Sequence, residues 1–106
     1  MRQGIDTAHK TDEKGMPTGG RSVTNGAVVN WQDGPLGRGD DRIEPNGAFV
    51  EDIIDIARDR IQFYQDSPFK CRENAIAITK LEEAMQWLNW RTADREARQV
   101  EGTHNK

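Results

Sequence analysis

Residues 46–98 read NGAFVEDIIDIARDRIQFYQDSPFKCRENAIAITKLEEAMQWLNWRTADREAR. Val50, Ile53, Ile54, Ala57, Ile61 and Tyr64 recur at three- and four-residue intervals, which gives a helix with one apolar stripe. The spacing predicts that this helix starts at an Asn46 N-cap, with Pro45 discouraging an earlier start, and ends near Gln65. Glu51, Asp52 and Asp55 fall early while Arg58 and Arg60 fall late, an order that complements the helix dipole. Asp66-Ser67-Pro68 then forms a break with a built-in restart, because Ser67 can cap and proline at the first helical position loses no hydrogen bond. From there to about Arg98 nothing interrupts a second helix, in which Ala77, Ile78, Leu81, Ala84, Met85 and Leu88 repeat at heptad-like spacing. Some thirty residues at about 1.5 Å each give a rod of about 45 Å. Two unequal helices joined by so short a break predict an antiparallel hairpin. The shorter helix cannot cover both sides of the longer one, and Trp87 and Trp90 flank its main stripe. The leftover apolar surface argues for self-association.

The sequence upstream has a different character. Nine of the ten glycines and three of the four prolines lie in residues 1–47. Residues 1–20 carry no aromatic and few aliphatic side chains, so they are expected to be a mobile tail. Val23, Ala27, Val28, Val29 and Trp31 predict a short strand or hairpin around Asn25-Gly26, followed by a loop from Asp33 to Asp40. The expected organisation is a tail (1–20), a β segment with its loop (21–45) and a helical hairpin domain (46–106). The fold class is mainly α.

With 106 residues the chain has room for one small domain, and 34% hydrophobic against 31% charged residues leaves little for a core. The mean hydropathy of −0.90 agrees. Such a shortage means that part of the chain is unpacked or that other subunits complete the packing. A net charge of −3 argues against a general binder of DNA, RNA or membrane surfaces. The single cysteine, Cys71, excludes an intramolecular disulfide framework and fits a reducing compartment. No apolar run approaches the roughly 20 residues of a membrane span, and Met1-Arg2-Gln3-Gly4 does not open a signal peptide. A soluble, cytoplasmic, oligomeric protein is expected.

Catalysis has little support. The two histidines, His9 and His104, stand near the termini, away from any nucleophile. Cys71 near a helix start can have a lowered thiol pKa, but a small buried thiol at the bend is the favoured reading. No Cys/His cluster has metal-ligand spacing, so neither metal nor cofactor is expected. Gly34 to Gly39 lacks the Gly-Lys-Ser/Thr ending of a phosphate loop. The second helix is more informative. Arg91, Arg95 and Arg98 recur at i, i+4 and i+7, with Trp87 one turn before. Guanidinium forks bind phosphates bidentately, and an indole beside them can stack on a base. The alternative is a solvated face in which Asp94 and Glu96 pair with the arginines. Five acidic residues accompany six basic ones between Lys70 and Arg98, so a small phosphorylated ligand suits this face better than a duplex.

The run Pro68–Leu88, with its Arg72-Glu73-Asn74, Ile78-Thr79-Lys80-Leu81-Glu82-Glu83-Ala84 and Trp87 elements, resembles the helical-hairpin domain of phage anti-defence sponges. That family comprises the Thoeris anti-defence and anti-CBASS types. The resemblance covers residues ~46–103, and the β segment favours the Thoeris type. It implies a non-catalytic protein that captures cyclic nucleotide immune signals in the infected host cytoplasm, above all glycocyclic ADP-ribose isomers. Cyclic di- or trinucleotides at separate sites, and assembly as a dimer or as a hexamer built from a trimer of dimers, are further implications. By position, the signal-binding residues are an aromatic at the end of the first helix (Tyr64, with Phe63 adjacent), Asn74, Arg91 and Arg95. Arg72, Thr79 and Lys80 are weaker candidates for a second, cyclic oligonucleotide site. A structural or interaction protein that merely oligomerises through its hairpin is the alternative function.

Overall fold

The computed structural model describes residues 2–106 and has strands where composition suggests a tail. Strands β1 (Asp6–Thr11), β2 (Pro17–Val23) and β3 (Val28–Trp31) form an antiparallel sheet in the order β1-β2-β3. Helices α1 (Val50–Gln65) and α2 (Arg72–Ala97) follow, after a single 3-10 turn at Gly39–Asp41. One compact unit runs to Phe49 and is completed by Gln99–Lys106, and the other is Val50–Arg98. The expected boundaries fall after residues 20 and 45, and these units divide after Phe49 and after Arg98.

In the sheet unit, the expected tail contains all of β1 and the start of β2. Every β1 side chain is exposed, so backbone pairing rather than apolar burial makes the strand. Asp12 sets the β1–β2 reversal: its Oδ1 accepts from the amides of Lys14 (2.8 Å) and Met16 (3.0 Å), and Gly15 takes φ +77°. An Asx turn of this kind gives the backbone a local alternative to disorder. Gly20 lies opposite His9 against the Ala8 carbonyl at φ +153°, where a Cβ would collide. The hairpin around Asn25-Gly26 is present. Neither central residue takes the positive φ of a primed turn; the Thr24 amide bonds the Ala27 carbonyl and the Gly26 amide bonds Thr24 Oγ1.

Asn46 is not the helix cap that the sequence predicts. Its Oδ1 accepts from the Asp33 amide (2.8 Å), its Nδ2 donates to the Asp33 carbonyl (3.1 Å), and its own amide reaches Gln32 Oε1 (2.8 Å). These bonds close the loop between residues 33 and 46 onto the end of β3. Gly47 lies against the Trp31 backbone, where a Cβ would stand 2.6 Å from its carbonyl. Helix α1 begins only at Val50. Residues 99–106 close the unit from the far end of the sequence: Gly37 N–H donates to the Gly102 carbonyl (2.7 Å), and Arg42 binds the Glu101 carboxylate through two bonds of 2.7 and 3.2 Å.

In the helical unit the end of α1 at Gln65 agrees with the sequence, but the restart does not. Ser67 closes a separate turn, donating to the Tyr64 carbonyl and accepting from the Phe69 amide, and α2 begins at Arg72 behind a Cys71 cap. The bend is clasped by the Gln65 side chain, whose Oε1 accepts from Cys71 N (2.8 Å) and whose Nε2 donates to the Cys71 carbonyl (3.1 Å). The 26 residues of α2 span about 39 Å at about 1.5 Å per residue. Arg98 caps its end, and Gln99 at φ +60° turns the chain out of it. Arg58 and Glu82 pair at 3.3 Å between the helices.

The expected apolar stripes face inward only in part. Ala77, Leu81, Ala84, Met85 and Leu88 of α2 and Ile53, Ile54 and Ile61 of α1 are half-buried, while Val50, Ala57 and Tyr64 are exposed. Ile78, at 8% exposure, is the one buried residue among those described. With α helix in 42 residues and strand in 17, "mainly α" is only an approximate description.

Candidate functional site

Helix α1 delivers its aromatic pair on the last turn before the bend. Phe63 is 59% and Tyr64 38% exposed, and the two rings meet edge-to-face with centroids 5.9 Å apart. Asn74 lies in the first turn of the next helix, at the same bend end of the hairpin. Its amide donates to Cys71 Sγ at 3.4 Å, and its half-buried side-chain amide makes no hydrogen bond among the described residues. Local capping is therefore the work of Cys71, and the Asn74 carboxamide is left for another partner. Cys71 itself is exposed, not the buried thiol expected, because its sulfur takes the cap position at the edge of the bend.

The arginines lie at the other end of α2. Arg91 is exposed, with no hydrogen bond or ion pair among the described residues, and Arg95 one turn on is half-buried. Arg98 is engaged by Asp94 at 3.1 Å, so the solvated-face alternative holds for that member of the row. Trp87, one turn before Arg91, and Trp90, its neighbour in sequence, are 75% and 72% exposed. Since α2 is continuous, the 17 residues between Asn74 and Arg91 amount to about 26 Å of helix. A single chain thus carries two separate groups of candidate side chains. One is aromatic and amide-bearing at the bend, and the other is cationic and indole-bearing near the C-terminal end.

The candidates for a second site are exposed on the first turns of α2. Arg72 has no ion pair among the described residues. Thr79 donates its hydroxyl to the Ala75 carbonyl at 3.2 Å, and Lys80 stands 3.6 Å from Glu83. Two of the three candidates, Thr79 and Lys80, are thus already in local contacts.

A residue that the sequence reading passed over belongs with the aromatic pair. The Arg60 guanidinium sits 4.8 Å from the Phe63 ring centroid and 4.9 Å from that of Tyr64. Its Nε donates to the Tyr64 hydroxyl at 3.1 Å. The signal was the spacing: positions i, i+3 and i+4 share one helical face. Among the described residues no group of three or more His, Cys, Asp or Glu side chains is placed to hold a metal ion, and no helix is long and apolar enough to cross a membrane.

Comparison with known proteins places the chain in a family. Residues 26–93 match a family model described as the Acb2/Tad1 hairpin domain. The match takes in β3 and the loop before α1, earlier than the resemblance read from the helices, and stops two residues short of Arg95. Over 80 residues the chain is 55% identical to Thoeris anti-defense 1 of Bacillus phage SBSphiJ7, an alignment covering 76% of this chain and 54% of that protein. The chain thus spans about half the length of the curated relative it matches. A family model that matches most of the sequence identifies the chain as a member of the Acb2/Tad1 hairpin family.

Proposed function

We propose that this protein counters Thoeris-type defence by sequestering a cyclic nucleotide signal without cleaving it. Glycocyclic ADP-ribose is the expected ligand, and the infected host cytoplasm the expected place of action. The observation that carries the reading is a pair of side-chain groups: an aromatic pair and the Asn74 carboxamide at one end of α2, and the Arg91 guanidinium one turn beyond the exposed Trp87 at the other. Phe63 or Tyr64 stacks on the base, Asn74 bonds its polar edge, and Arg91 and Arg95 clasp the diphosphate. The ligand measures on the order of 10 Å against about 26 Å between Asn74 and Arg91, so a second copy running antiparallel has to supply the missing half. Two-fold symmetry then gives two pockets per dimer. Trimers of such dimers, with cyclic di- or trinucleotides held near Arg72, Thr79 and Lys80, extend the same reading.

Sequestration works by mass action, and nanomolar affinity corresponds to about 12 kcal/mol, which a small ligand reaches only when largely enclosed. Mixing the purified protein with glycocyclic ADP-ribose tests the reading. The expected result is loss of free ligand and its return, with unchanged mass, on heating. A changed mass means an enzyme, and a ligand that stays free means an interaction protein, the reading otherwise favoured by the exposed Trp87, Trp90 and Phe69. The shared pocket has its own test in subunit exchange between Asn74→Ala and Arg91→Ala proteins. A mixed dimer contains one pocket with both lesions and one with neither. Partial recovery of tight binding is expected, and no recovery despite proven exchange assigns each pocket to a single chain.

A further inference from the structure

The aromatic group carries a cation that the binding scheme above leaves unused. Arg60 is exposed, yet its guanidinium is not loose. Its carbon lies within 5 Å of both ring centroids, and its Nε is committed to the Tyr64 hydroxyl. Four acidic residues (Glu51, Asp52, Asp55 and Asp59) share α1 with it, but none of the described ion pairs includes Arg60. Arg58, two residues earlier, is paired with Glu82. The two terminal nitrogens of Arg60 have no acceptor among the described residues.

From this arrangement we infer that Arg60 is a phosphate-binding residue of the aromatic group, held in place by the rings and by the Tyr64 hydroxyl. The inference rests on the sequestration reading and adds a third guanidinium to it. A fork of two N–H groups, with its third donor already used, matches two oxygens of one phosphate. Aromatic surface immediately beside that fork suits a base attached to the same phosphate, which a free carboxylate would lack. Holding the guanidinium over two rings in advance reduces the rotamer freedom lost when a ligand binds. The phenol has a specific part here, because phenylalanine at position 64 would keep the ring and release Nε.

Calorimetry with glycocyclic ADP-ribose tests this on the wild type and on Arg60→Gln, Arg60→Lys and Tyr64→Phe, with thermal melting of each free protein as a check on folding. Arg60→Gln is expected to bind about 10- to 100-fold more weakly, as for a lost hydrogen bond to a charged group. Arg60→Lys should recover part of that loss, and Tyr64→Phe should lose only a few-fold. Raising the salt concentration should weaken the wild type more than Arg60→Gln, a difference that a purely structural role would not produce. Wild-type binding with Arg60→Gln within two-fold of it, and an equal salt response, overturns the role of Arg60 and leaves sequestration standing. If Arg60→Gln fails to fold, Arg60→Met decides in its place, and affinity within two-fold of wild type overturns the inference. A wild type that does not bind the ligand at all overturns the sequestration reading and this one with it.

Discussion

In the sheet unit the defining contacts are close backbone approaches and side-chain bonds to backbone. Gly47 lies against Trp31, Gly20 against Ala8 and Gly102 against Gly37, and the Asn46 side chain exchanges two bonds with the Asp33 backbone. In the hairpin unit the backbone bonds stay within each helix and the bend, and α1 meets α2 through side chains, of which Ile78 alone among the described residues is buried. The first unit is specified by where a side chain must be absent. The second is specified by an apolar stripe that its own partner helix leaves half-covered. A chain this short can fold the first way without much hydrophobic surface, because a close backbone approach needs glycine rather than a core. The second way leaves side chains that call for another surface.

The comparison breaks most readily at Gly47. Replacing it with alanine puts a Cβ into the Trp31 carbonyl, and a loss on the order of 3 kcal/mol is expected. Hydrogen exchange should then show protection lost in β3 and the loop, with the helical circular dichroism retained; a uniform loss across both units would mean that they unfold as one. Ile78→Ala should cost about 2–3 kcal/mol, read by denaturant melting, and should affect the helices first. A smaller cost would show that the site collapses around the change, and a larger one that a second copy buries it more deeply. Gln65→Ala removes both bonds to Cys71 and should cost about 1–2 kcal/mol, with a Tm that falls but an unchanged helix signal. Arg42→Gln gives the smallest effect. Its pair with Glu101 is partly exposed, so about 0.5 kcal/mol is expected at low salt and less in high salt. A salt-independent loss would show that this pair matters through packing.

The helices are legible in the sequence because their signal is periodic and local. Ile53, Ile54 and Ile61, then Ala77 through Leu88, mark both rods, and Pro68 marks the break. Their starts are less legible, since Asn46 and Ser67 have cap chemistry that is spent elsewhere: Asn46 on Asp33 and Gln32, Ser67 on the Tyr64 carbonyl. Strand β1 is invisible to any hydrophobic pattern. Asp6-Thr7-Ala8-His9-Lys10-Thr11 has no apolar alternation, and its cross-strand contacts are polar, such as Thr7 Oγ1 with Ser22 Oγ at 2.8 Å. In the candidate site, the types of residue are legible and their grouping is not. Position alone links Asn74 to Arg91 through the resemblance, and a straight helix holds them apart. Arg60 was legible too, three and four residues before the rings it touches.

The closure of the sheet unit by Glu101 and Gly102 has a consequence for the order in which the chain is made. The strands leave the ribosome first, but the carboxylate that Arg42 binds and the carbonyl that Gly37 meets are synthesised only after the whole hairpin. Domains generally fold as they emerge, N-terminal first. Here the unit that emerges first is the one that must wait, and the helices, complete in sequence before Gln99, can form while the strands still lack their closing segment.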